Sequence, residues 1–341
     1  MAVLLLESWE GISTLNEKHE IEHTSNCIID TTYQRTGDQG LRLRASYWLK
    51  ITLASAIDAG VVGFSYRNTN TGRIDDTFRA LIMLYKGSGK QFTLEITQNG
   101  FIWIKRNTTL MATSNRPLIA GKRYYFEIKW NCVNSIGADT FVIKVNGEEW
   151  FNFPATTDMQ AQSTSGVDVV YLHGGGAYVF FDDLYICDTT GGVNDDFLGD
   201  VAIVCLTPNG NGNTNDFTGS DVDSTDNYLH VDEIQPDDDA SYVESSDVAD
   251  IDLYAFENFA VTPTTICCVQ TVTFAKKDDA SAKTGKLLTR VNSTNYEGSA
   301  FSPENGSYAY FTEIWDVNPD DSAAWAEADV NGAEFGIKVE S

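Results

Sequence analysis

Short apolar runs separated by Gly, Asn, Asp and Ser recur along this 341-residue chain, and few of them have the spacing of a helix. Val3 to Glu7, Leu41 to Leu53, Val61 to Tyr66, Ala80 to Tyr85, Phe92 to Thr97, Phe101 to Arg106, Tyr124 to Trp130, Thr140 to Val145, Val167 to His173 and Tyr178 to Cys187 read as strands. Several alternate with period two: Phe126, Ile128 and Trp130 share one face, Glu127 and Lys129 the other. That is the pattern of a half-buried antiparallel strand. The last of these segments places Tyr178, Phe180, Leu184 and Ile186 on one face and closes the set. Between Phe141-Val142-Ile143 and Trp150-Phe151, Asn146-Gly147 predicts a tight hairpin, because both central residues of a type I′ turn need positive φ. About ten strands without a convincing helix predict an all-β fold, with a jelly-roll sandwich over residues 1–190.

The pattern then changes. Residues 191–260 read as a polar, acidic connector, opening with GGVNDDFLGDV and carrying Tyr228, Leu229, Val231, Tyr242, Leu253, Tyr254 and Phe256 as a belt to be packed on a core. Residues 261–341 return to strands in TTICCVQTVTFAKK, GKLLTRVNS, SYAYFTEIW and EFGIKVE, predicting a smaller C-terminal β-rich domain. One or two helical turns are expected over Ala323 to Ala328, with Asn331-Gly332 as the stop. No period of 20 to 50 residues repeats, so a solenoid or propeller is not expected.

Charge adds a second fact. The formal net charge is −26, and from Lys144 to Lys276 no Lys or Arg intervenes, while that stretch holds 24 Asp plus Glu. A basic groove is what phosphate neutralisation needs, so nucleic-acid binding is not expected. An acidic surface also keeps a protein soluble, or docks a basic partner. The apolar runs fall far short of the ~20 residues that span a bilayer, so no membrane insertion is expected. MAVLLLESWEG lacks a basic n-region and a long apolar core, so export by a signal peptide is not expected, and a cytoplasmic origin is. The six cysteines, at 27, 132, 187, 205, 267 and 268, include no C-x-x-C pair and are read as buried free thiols.

Candidate chemistry is sparse. His19-Glu20-Ile21-Glu22-His23 matches H-E-x-x-H, in which two His one helical turn apart hold zinc and Glu activates water. The flanks Asn16-Glu17-Lys18 and Thr24-Ser25-Asn26 give such a helix no apolar face, and only His173 and His230 remain as further His ligands. A polar loop is the plainer reading. Asp221, Asp223 and Asp226, and the run Asp237-Asp238-Asp239, are the oxygen-rich candidates for calcium, though neither fits the D-x-[DN]-x-[DN]-G loop. Glycoside hydrolysis needs two carboxylates about 5 to 9 Å apart on one face. Glu95 and Glu127 stand singly on strands, where the solvated face is the plainer reading. Asp182-Asp183, inside a strand, is expected to cap the N–H groups of a neighbouring loop. Gly174-Gly175-Gly176 has no helix behind it to hold a phosphate.

MAVLLLESWEGI, GDQGLRLRA, VVGFSYR, GKRYYFEIKW with FVIKVNG, and the closing AYVFFDDLYICDTTGGVNDDFLGDV resemble, in that order, a family of tailed-bacteriophage virion structural proteins. The N-terminal domain of that family is a concanavalin A/laminin G-like sandwich. Its usual small acidic-Gly turn stands here as Glu-Ser-Trp-Glu-Gly. The resemblance implies a non-enzymatic component of the particle exterior, such as a tail or head fibre, a tail-tip protein or a capsid decoration protein. It also implies other virion proteins as partners, self-association into a homo-oligomer, and a location in the virion after assembly in the host cytoplasm. The alternatives are a carbohydrate-binding adhesin for a host-surface glycan and a sandwich-fold glycoside hydrolase. No catalytic residue and no cofactor is assigned, calcium being the one ion with candidate ligands.

Overall fold

The computed structural model describes residues 3–12, 15, 18, 21–44, 46–69, 79–133, 140–154, 156–161, 165–174 and 178–341. The chain divides into two compact units, the first running essentially to Val204 and the second from Cys205. The fold is all-β: a sandwich of two antiparallel sheets makes the first unit, and a smaller β-rich assembly the second.

The first unit begins with β1 (Val3–Glu7), β2 (Ile21–His23), β3 (Cys27–Asp30), β4 (Gly40–Leu43) and β5 (Trp48–Ile57). It continues through β6 (Ala59–Asn68), β7 (Arg79–Lys86), β8 (Gly89–Ile96), β9 (Ile102–Arg106) and β10 (Thr109–Thr113). It closes with β11 (Arg123–Asn131), β12 (Thr140–Val145), β13 (Glu148–Phe153), β14 (Val167–His173) and β15 (Val179–Asp188). One sheet has the order β13-β12-β11-β6-β15-β4-β3, with β1 also paired to β15; the other has the order β10-β9-β8-β7-β14-β5-β2. The first and last strands of the unit are therefore neighbours, as jelly-roll closure requires.

The inner faces interdigitate through alternate residues, as period-two patterning dictates. Phe64 stacks on Phe126 with centroids 5.6 Å apart, and Phe92 meets Phe141 across the two sheets at 4.7 Å. Trp130, Ile128, Leu49, Val170 and Ile104 complete a dry core. Asn146 and Gly147 both take positive φ, 52° and 76°, and the Asn146 carboxamide accepts from the Tyr125 N–H at 2.8 Å, so the expected hairpin is present. Leu41 to Leu53, expected as one strand, is two. Ser46 at φ 70° turns the chain, and β4 and β5 go to different sheets.

The second unit holds β16 (Pro208–Asn215), β17 (Thr218–Gly219), β18 (Val243–Glu244), β19 (Ile251–Phe256), β20 (Val269–Ala275), β21 (Gly285–Val291), β22 (Thr294–Phe301), β23 (Ala309–Trp315), the helix α1 (Glu327–Gly332) and β24 (Glu334–Val339). A five-stranded sheet runs β16-β19-β24-β21-β22, with β17-β18 and β20-β23 as separate pairs. Part of the acidic segment is thus sheet: β19 sits between β16 and β24. The core gathers Val291, Trp325, Val330, Ala333 and Phe335. The Trp325 indole donates to the Trp315 carbonyl at 3.0 Å, which seats the segment entering α1. The helix lies about one turn C-terminal to its expected place. It is opened by Asp329, which accepts from the Ala326 N–H at 3.0 Å, and it ends at Gly332. No helix among the described residues is long and apolar enough to cross a membrane.

Candidate functional site

The register of the seven-stranded sheet lays one cross-strand row over its outer face, half-buried or exposed except at Thr93, which is buried. Glu22 pairs with Lys50, Lys50 with Tyr171, Tyr171 with Met83, Met83 with Thr93, Thr93 with Lys105, and Lys105 with Leu110. Residues two places along each strand share that face, which adds Trp48 on β5, His173 on β14, Tyr85 on β7 and Trp103 on β9. Trp48 lies 5.4 Å from Tyr171 at an interplanar angle of 78°, and Tyr85 lies 5.1 Å from Tyr171 at 60°. Edge-to-face contacts of this kind hold rings in place. The three half-buried rings form an aromatic row across β5, β14 and β7. Its flanking charges are internally paired: Lys50 to Glu22 at 2.5 Å, and Lys105 to Glu95 at 2.6 Å with its ammonium over the Trp103 ring.

The solvent side of the other sheet is covered. Residues 196–203 run along it: Lys129 binds Asp196 at 2.9 Å, Lys144 sits 3.9 Å over the Phe197 ring, and the Gly199 N–H donates to Glu127 at 2.8 Å. Glu127 is consequently 1% exposed, and the Tyr185 hydroxyl donates to the same oxygen at 2.6 Å. The expectation of a solvated face for Glu127 is corrected, since the covering segment closes over it. For Glu95, half-buried and ion-paired, the face is the outer one as expected. The two lie in different sheets and make no carboxylate pair.

Asp182 and Asp183 stand where β15 changes partner, from β4 at Phe181 to β1 at Leu184. A bulge there puts Asp183 at φ 50°. Asp182 accepts from the N–H groups of Arg35 (2.5 Å), Thr36 (3.1 Å) and Asp183 (2.9 Å), which is the loop-capping role read from the sequence. Asp183 accepts from the Ile203 N–H at 2.7 Å and pairs with Arg35 at 2.5 Å, and Arg35 also holds Asp200 at 2.5 Å. Burial, with the neighbouring Asp183 charge, pushes Asp182 up to about 7. Both side chains are spent on these bonds: Asp182 holds the Arg35–Thr36 loop, and Asp183 fastens the covering segment through Ile203.

The remaining candidates do not assemble. His19 and Glu20 lie outside the described residues; Ile21–His23 is a strand, with His23 Nδ1 3.1 Å from the Thr24 carbonyl, and not the helix a zincin needs. Gly175 and Gly176 also lie outside the described residues. Asp221 faces His230 at 3.3 Å, Asp223 accepts from the Thr225 N–H at 2.7 Å, and Asp226 precedes the 3-10 turn Asn227–His230 without capping it. Among the described residues no three His, Cys, Asp or Glu side chains gather as a metal centre. Cys27, Cys132 and Cys187 are buried as expected, Cys267 and Cys268 are half-buried, and Cys205 is exposed. A depression lined by Tyr66, Asn68, Ile96 and Leu118 has room for about one water molecule and no sugar ring.

No family model and no curated protein matches the chain. Among solved structures it is similar to a sialidase, at 13% identity over 55% of this chain and 19% of that one, with a TM-score of 0.41. An alginate lyase, Aly36B, in complex with alginate trisaccharide is similar at 13% identity over 53% of this chain and 96% of that one, with a TM-score of 0.37. The carbohydrate-binding module CBM66 from Bacillus subtilis is similar at 11% identity over 51% and 98%, with a TM-score of 0.33. The chain spans about a fifth of the sialidase. These neighbours are carbohydrate-binding and carbohydrate-processing proteins. The expectation of a non-enzymatic chain is corrected by them and withdrawn, since a sialidase and an alginate lyase stand among them.

Proposed function

We propose that the sandwich binds a glycan on the solvent face of its seven-stranded sheet, and that the protein serves as a host-surface adhesin on the exterior of a tailed-phage particle. The row Trp48–Tyr171–Tyr85 carries the first half of this reading. A pyranose offers an apolar C–H face and a rim of hydroxyls, so it needs an aromatic surface with donors and acceptors beside it. Lys50, Glu22 and His173 stand beside the rings in the same sheet register. The two lysines of the row, Lys50 and Lys105, already have carboxylate partners, which favours a neutral glycan over a uronate or sialate. The ordered resemblance of five segments to the phage family supports the second half, together with docking onto other virion proteins and self-association.

A glycan array probed with the whole chain and with Trp48→Ala tests the binding reading. Retention of neutral oligosaccharides by the parent and their loss in the variant is the expected result; equal, weak signals for both overturn it. Antibody-gold labelling of purified particles tests the location. Label at tail, neck or head is expected, and unlabelled, antigen-checked particles refute it.

A further inference from the structure

Among the described residues of the second unit four side-chain oxygens are buried without a hydrogen-bond partner: Thr289 Oγ1 on β21, and Asp252 Oδ1, Asn227 Oδ1 and Asn215 Oδ1. Asp252 is 0% and Asn227 1% exposed. Asn215 and Asp252 face each other across β16 and β19, so their side chains leave the same face of the ladder. Asn227, on the 3-10 turn, reaches the same place, its Nδ2 donating to Asp252 Oδ2 at 2.8 Å.

The orientations are fixed by the other bonds. Asn227 Nδ2 also donates to the Phe217 carbonyl at 2.9 Å, so turning the amide over would aim an oxygen at two acceptors. Asn215 gives its Nδ2 to the Ser224 carbonyl. The Tyr254 hydroxyl donates to Asp252 Oδ2 at 2.6 Å. Every donor is thus used on one carboxylate oxygen or on backbone, and three oxygens are left over. Asp216, whose carboxylate accepts from the Ile251 N–H at 3.1 Å, adds a second negative charge.

A buried acceptor without a donor is destabilising, and native interiors carry few. Carboxylate and amide oxygens alone, with no nitrogen or sulfur, are the donor set of a hard cation, and the irregular mix of Asp and Asn suits calcium better than the strict octahedron of magnesium. We propose that Asp252, Asn227 and Asn215 ligate a calcium ion held between β16, β19 and the 3-10 turn, with the Asp216 charge beside it. The site differs from the Asp221, Asp223 and Asp226 candidates, two of whose carboxylates serve His230 and the Thr225 N–H. The ion fastens the turn to the sheet.

Calorimetric titration and thermal melting of the EDTA-stripped full chain, with CaCl2 and then MgCl2, test the assignment. Saturable calcium binding with a raised melting temperature is expected, magnesium binding at least tenfold more weakly. Asp252→Asn is expected to abolish binding. Asn215→Ala, at a half-buried position, leaves the sheet intact and is expected to weaken calcium at least tenfold. An unchanged parent melt at millimolar calcium means that water alone fills the site and overturns the proposal. So does undiminished affinity in a folded Asn215→Ala or Asp252→Asn variant.

Discussion

Tyr185→Phe removes one oxygen from the buried outer side of the eight-stranded sheet and disturbs a chain of three groups. The hydroxyl donates to Glu127 at 2.6 Å and accepts from the Leu198 N–H at 3.2 Å, while Glu127 keeps only the Gly199 N–H at 2.8 Å from these groups. Tyr185 is 0% and Glu127 1% exposed, so water cannot replace the lost partner without opening the covering segment. A hydrogen bond to a charged group contributes about 1.5–3 kcal/mol, and an N–H left unbonded adds about 1 kcal/mol more. The expected loss is therefore about 3 kcal/mol. For a unit of this size that lowers the melting temperature by roughly 6–12 °C. Urea melts of the parent, Tyr185→Phe, Glu127→Gln and the double variant measure it. With the charge gone, Tyr185→Phe should cost only about 1 kcal/mol, giving a coupling near 2 kcal/mol. Amide exchange at Leu198 and Gly199 should rise in Tyr185→Phe. A loss below about 0.5 kcal/mol, or the same loss in both Glu127 backgrounds, refutes the claim that this carboxylate is held by the tyrosine.

Three further outcomes are expected. Gly63→Ala places a Cβ 2.0 Å from the Tyr185 ring, which its hydroxyl bonds hold in place, and should cost about 3 kcal/mol in the same melts. Burial pushes Asp182 up to about 7 and Asp252 up to about 6, above the ~3.9 of an unfolded aspartate. The native state then holds protons that the unfolded state has released, so in calcium-free buffer stability should fall as pH rises from about 4 to 7 and level off above it. Asp252 alone accounts for about 3 kcal/mol of that fall, and a melting temperature that climbs over this range contradicts it. Trp48→Ala should weaken a retained glycan at least tenfold, about 1.4 kcal/mol, with the melt changed little; unaltered affinity by calorimetry moves the site elsewhere.

Local signals made much of the sandwich legible. Thr140 to Val145 alternates strictly between buried and half-buried positions, and Val167 to His173 does so apart from the consecutive buried pair Val169-Val170. Asn146-Gly147 named its own turn. Arg44 to Tyr47 contains neither Gly nor Pro, so nothing in the sequence announced that β4 and β5 part company there. β19 was hidden by its acidic flanks, although Leu253, Tyr254 and Phe256 were visible as apolar residues. The surface row was illegible for a different reason. Trp48, Tyr85 and Tyr171 lie on three strands far apart in sequence, and only register brings their rings together. Glu127 looked solvated because period two tells which face a residue takes, not what later lies over that face. Asp252 and Asn227 were likewise ordinary polar letters until the fold buried them.

The pairing of β1 with β15 sets the order of events on the ribosome. Val3 finds Cys187 and Glu7 finds Leu184, so the first strand made waits for the last before it has a neighbour. At about 5–20 residues per second, the interval is on the order of ten to forty seconds. During it the apolar run Val3–Glu7 is an unsatisfied edge, open to the wrong strand of the same chain or of a nascent neighbour on the same message. Release from that hazard comes when Leu184 to Cys187 have emerged to pair with it. Slowing translation between the codons for Glu7 and Leu184 should therefore lengthen the exposure and lower the yield of soluble protein, whereas a pause after Asp188 should do less.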